Sequence, residues 1–82
     1  MDTLEVVLQG INNLGGQAAL KDIYEETSRI AKEEITEAFR GRIRVCICRH
    51  SSDSDVFYQK GKHEDLFAFV GKGPKGNVWK LR

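Results

Sequence analysis

Three observations predict one α+β domain, with three helices followed by a C-terminal β-hairpin. Apolar residues recur at three- and four-residue spacing through the first part of the chain. Period-two alternation replaces that pattern in "DLFAFV" and "NVWKL". Between those stretches lies "GKGPKGN", turn chemistry carrying two lysines.

The first helix is expected over Thr3 to Leu14, where Leu4, Val7, Leu8, Ile11 and Leu14 share one face. Asp2 or Thr3 can cap it, and Gly15-Gly16 offers the left-handed exit that glycine adopts cheaply. A second helix is expected from about Ala18 to Lys32, with Leu20, Ile23, Tyr24, Thr27 and Ile30 on one stripe. The short Gly-Gly turn implies that the two helices pack at an angle.

The third segment is "EEITEAFRGRIRVCICRH". Ile35, Phe39, Ile43, Cys46 and Ile47 form its buried face, and Thr36 sits where it can cap, with Glu37 and Ala38 in the first turn. Glu37, Arg40, Gly41, Arg44 and Cys48 then occupy the opposite face. A mid-helix glycine costs about 1 kcal/mol against alanine. Gly41 makes more sense if something approaches the backbone closely. A β-strand through "RIRVCIC" is the alternative, since that run also alternates and is β-branched. "SSDSD" ends the segment, because Ser and Asp bond to nearby backbone and compete with helix continuation. "VFY" is expected as a short strand before the hairpin.

Eighty-two residues suffice for one domain with a modest core. Cys46 and Cys48 are too close in sequence for an ordinary bridge and do not form a metal-type CxxC pair. With His50 and His63 nearby, their spacing still fits no zinc pattern, so neither metal nor cofactor is expected. "MDTLEVVLQG" lacks a cationic lead, and no apolar run is long enough to span a membrane. Reduced thiols and a cytoplasmic location are the expectation. The net charge of +1 hides an asymmetry. Residues 1–39 hold eight acids and three bases, residues 40–82 ten bases and four acids. Such polarity is expected when one face docks on a polyanion.

Three helices and a hairpin in about 80 residues are the layout of a winged helix-turn-helix DNA-binding domain, here residues 1–82. In that layout the third helix reads the major groove and the hairpin, the wing, touches backbone or minor groove. Arg40 and Arg44 lie one turn apart and can point at one groove, where a guanidinium matches guanine or phosphate. Lys72 and Lys75 suit phosphates. Thr36, Glu37, Gly41 and Arg49 complete the candidate face on the helix. His50, Ser51 and Ser52 follow as possible phosphate contacts, with capping as the competing role. A solvated basic face and a solubilising loop are the bland readings of the arginines and lysines. "GKGPKG" lacks the GK[ST] ending and precedes a strand, so it is not a phosphate loop. No catalytic set emerges, and an enzyme is not expected.

"LGGQAALKDIYEE" resembles the opening of winged-helix domains attached to restriction endonucleases and DNA-modification proteins, including the HARE-type helix-turn-helix domains. "FRGRIRVCICRHSSDSDVF" and "DLFAFVGKGPKGNVWKLR" resemble the later helix and closing wing of the same group. The resemblance implies binding of double-stranded DNA without catalysis, beside a fused or associated nuclease domain in a restriction-modification setting. Some members of this neighbourhood recognise N6-methyladenine in duplex DNA. A methyl in the major groove needs an apolar contact, and Phe39, at the start of the helix, is the expected source. Gly41 and the "VCIC" run depart from the group's pattern, so sequence specificity does not carry over. The rival expectation is a protein–protein interaction module on the same fold, using the acidic first half as its surface.

Overall fold

The computed structural model describes residues 1–57 and 64–82. The fold is α+β: α1 (Thr3–Asn13), β1 (Gln17–Ala19), α2 (Leu20–Ala31), α3 (Glu37–Arg49), β2 (Phe67–Gly73) and β3 (Gly76–Leu81). Three helices followed by an antiparallel β2–β3 hairpin give the winged-helix layout. The short β1 adds a third strand, and the sheet order is β1-β3-β2.

α1 and α3 start where polar side chains satisfy free backbone donors. Asp2 and Glu5 close a capping box on α1: the Glu5 amide donates to Asp2 Oδ1 at 2.8 Å, and the Asp2 amide to Glu5 Oε1 at 3.2 Å. Thr36 caps α3, its hydroxyl accepting from the Phe39 amide at 3.1 Å. α2 has no side-chain cap. Its Lys21 amide donates instead to the Lys75 carbonyl in the β2–β3 turn, at 3.1 Å. The hairpin tip is thereby fastened to the start of α2.

α1 and α2 pack closely because Gly10 carries no side chain. A Cβ there would lie 2.9 Å from Thr27 Cγ2. Thr27 is buried, and its hydroxyl donates to the Ile23 carbonyl at 2.6 Å. Where the pair opens to water, Glu26 accepts from Arg29 and from Asn13 of α1. Those bonds, Arg29's first, hold its carboxyl down to about 2. The core between helices and sheet contains Val7, Ile11, Ile23, Phe39, Ile43, Cys46, Ile47, Phe67 and Trp79. Burial pushes the Cys46 thiol up to about 11, with the charge of Asp2 adding to it, so the group is neutral at physiological pH.

"RIRVCIC" is helix, as its spacing predicts, and not the alternative strand: Ile43, Cys46 and Ile47 all turn inward. Other expectations change. The segment after Gly16 does not enter α2 directly. Gly15 and Gly16 take φ of 92° and 90°, and Gln17–Ala19 pair with Val78–Lys80. Ile35 is exposed rather than buried, since the helix begins only after Thr36. Val56 and Phe57 form no strand, and Tyr58 of the expected "VFY" strand lies outside the described residues, as does His63. No helix among the described residues is long and apolar enough to cross a membrane.

Candidate nucleic-acid interface

The inward set Phe39, Ile43, Cys46 and Ile47 fixes how α3 is turned. At 3.6 residues per turn, Gly41 and Val45 then occupy the middle of the outer face. Arg40 and Arg44 form one flank, towards α2, where Arg44 Nη1 donates to the Tyr24 hydroxyl at 3.2 Å. Arg42 and Arg49 form the other flank. With the N-cap Asp2 and with Thr3 and Leu4 of α1 they border an apolar recess that includes Gly41, Val45 and Cys46.

The cations on these flanks differ in their surroundings. Arg42 pairs with Glu33 at 2.7 Å, and its guanidinium carbon lies 5.4 Å from the Phe39 ring centroid. Arg40, Arg44 and Arg49 are exposed and meet no carboxylate among the described residues. Gly41 leaves the outer face open, since a Cβ there would meet nothing within 4 Å. Glu37 is exposed in the first turn. The structure therefore brings Glu37, Arg40, Gly41, Arg44 and Arg49 to one accessible surface, with exposed Thr36 at its N-terminal edge.

Phe39 does not belong to that surface. It is 2% exposed and packed in the core, so it cannot offer its ring to a base methyl. Its place at i−4 from Ile43 decides this, because the two share the inward face.

Ser51 does not belong to that surface either, whereas Ser52 is exposed. Ser51 is fully buried, and its hydroxyl accepts from the Asp53 amide at 3.3 Å. The Ser52 amide donates to Asp65 Oδ1 at 2.8 Å, and the Ser52 hydroxyl accepts from Arg82 Nη2 at 3.1 Å. Arg82 also reaches Asp53 at 3.1 Å, Asp65 at 2.9 Å and the Phe67 carbonyl at 3.0 Å. Asp53 in turn accepts from the Phe69 amide at 2.8 Å. The "SSDSD" stretch is thus a clamp that ties the exit of α3 to the sheet. Asp65 is held below the usual carboxylate range by hydrogen bonds from Ser52 first, then by the charge of Arg82. His50 caps the end of α3. Its Nδ1 lies 2.8 Å from the Cys46 carbonyl, and its own carbonyl accepts from the amides of Leu66 and Phe67.

The hairpin lysines separate as well. Lys72 is exposed on β2 opposite Asn77. Lys75 lies 3.7 Å from Asp22 of α2, so its charge is partly neutralised within the molecule.

The sequence does not single out Val45, Arg82 or the bond between the Tyr24 hydroxyl and Arg44. Val45 could have been found, since it lies four residues after Gly41, one turn further along the same face. Tyr24 and Arg82 act through distant partners and left no local signal. No protein-family model, curated protein or solved structure matches this chain.

Proposed function

We propose that this domain binds double-stranded DNA without catalysing a reaction, with the outer face of α3 in the major groove. One observation carries the reading: Arg40, Arg44 and Arg49 stand exposed around an open Gly41 and, among the described residues, are unpaired with acid. Neutralising phosphates releases counterions, so such a face binds a polyanion most strongly at low salt. The winged-helix layout supports the placement of α3. Lys72 flanks it as a phosphate contact, and Lys75 contributes less because Asp22 holds it. The sequence resemblance supports a restriction-modification setting, with a nuclease domain fused or associated. Two free thiols suit a reducing, cytoplasmic compartment.

Titration with a random duplex at low and moderate salt tests this. Binding that weakens steeply with salt is expected. A protein-interaction module on the same fold, for which the exposed Phe69 and Val70 offer a surface, predicts no duplex binding at either salt. Recognition of N6-methyladenine is tested separately with methylated and unmethylated copies of one duplex. A methylated duplex bound more tightly supports it, and equal affinities across many sequences remove it.

A further inference from the structure

Gly41 is unexplained by the fold. It sits within α3, it has no positive φ, and a side chain there would touch nothing. A mid-helix glycine nevertheless costs about 1 kcal/mol against alanine. What glycine supplies at such a position is close approach from outside. One turn further on, at the centre of the same outer face, stands Val45, a β-branched side chain left 46% exposed. A lone exposed valine is ordinary on a protein surface. This one lies beside a bare backbone and between two flanks of guanidinium groups.

The arrangement has a definite complement. Arg40 and Arg44 line one side, while Arg49 and the Glu33-paired Arg42 line the other. Anionic walls and a floor with apolar points would match it. The major groove of a duplex has that form: phosphates border it, and the only apolar group that an unmodified base presents there is the C5-methyl of thymine. We infer that Val45 is a specificity residue that contacts a thymine methyl, with Gly41 letting the helix sink far enough for contact. The inference rests on the DNA-binding reading of α3.

The test uses duplexes recovered by binding from a random pool, then remade with deoxyuridine in place of thymidine, which removes only the methyl. Affinities are measured by fluorescence anisotropy for the unaltered protein, Val45→Asn and Val45→Ile, with circular dichroism confirming the fold of each. The unaltered protein should lose about fourfold in affinity at a contacted thymine, the weight of one buried methyl group. Val45→Asn, which carries no methyl, should bind the thymine and uracil duplexes nearly alike, while Val45→Ile keeps the preference. Equal binding of both duplexes by the unaltered protein overturns the inference, as does a preference that survives in Val45→Asn. Recovery of no duplex at all would instead strike the DNA-binding reading beneath it.

Discussion

Arg82 and Arg44 are the same residue type in opposite circumstances. Arg82 donates to Ser52, Asp53, Asp65 and a backbone carbonyl, closing the corner between α3 and the sheet. Arg44 has one neutral partner, the Tyr24 hydroxyl, and otherwise faces solvent with Arg40 on its flank. Other cations divide the same way. Arg29, Arg42 and Lys75 are matched by Glu26, Glu33 and Asp22. Among the described residues, Arg40, Arg44 and Arg49 are not. The lesson is that basic composition alone does not locate a polyanion site. What locates it is the subset of cations that the fold leaves without acid, gathered on a helix face whose centre is bare.

The largest effect should come from Phe39, which the structure places with the fold. Phe39→Ala removes a buried ring and should cost about 3–5 kcal/mol. That is a large share of the stability of so small a domain. Chemical denaturation measures it, and a variant that stays as stable as the parent while losing only methyl-dependent binding would return Phe39 to the reading face.

Next come the unmatched arginines. Arg40→Gln with Arg44→Gln should leave stability within about 0.5 kcal/mol, as for most surface changes. Duplex affinity should fall by about tenfold or more, since each good groove contact is worth about 1–3 kcal/mol. Unfolding and anisotropy on the same preparations separate the two readouts.

Arg82→Ala should show the reverse profile: about 1–2 kcal/mol of stability lost, with little direct effect on DNA contacts. The clamp also has a pH signature. Asp65 has its carboxyl depressed in the folded state, so its contribution is present above the ordinary carboxylate value. That contribution is lost as pH falls through the lower folded value. Denaturation profiles across the acid range should be steeper for the parent than for Asp65→Asn.

The smallest effects are expected in the β2–β3 hairpin. Lys72→Ala should weaken binding to all duplexes alike and reduce the salt slope by about one. Lys75→Ala should do less to binding, because its partner is Asp22, and should cost at most about 0.5 kcal/mol of stability. A larger binding loss at Lys75 than at Lys72 would contradict the division between matched and open cations.

Much of this was legible in the sequence where the signal was local. The Thr36 cap, the helical spacing of Ile43, Cys46 and Ile47, and the turn in "GKGPKGN" each depend on neighbours within a few residues. β1 was missed because "QAA" has no β-branched or aromatic residue and becomes a strand only by pairing with Val78–Lys80. The Ser52–Asp53–Asp65–Arg82 clamp joins residues far apart in the chain, so serines and aspartates that look like loop chemistry turn out to be structural. The sequence offers Phe39 two roles, core and reader. Periodicity favoured the first, and burial settles it. On the candidate face, arginine spacing was legible. Which arginines have acidic partners was not, because Glu33 and Asp22 approach through tertiary packing.

The most direct test of the central claim is NMR mapping of backbone amides during titration with a short duplex. The account predicts that the largest shifts fall on α3 at Arg40, Gly41, Arg44, Val45 and Arg49, with weaker ones at Lys72 and little change at Arg82. Shifts concentrated on α1 and the acidic side of α2, or no shifts at low salt, would contradict it.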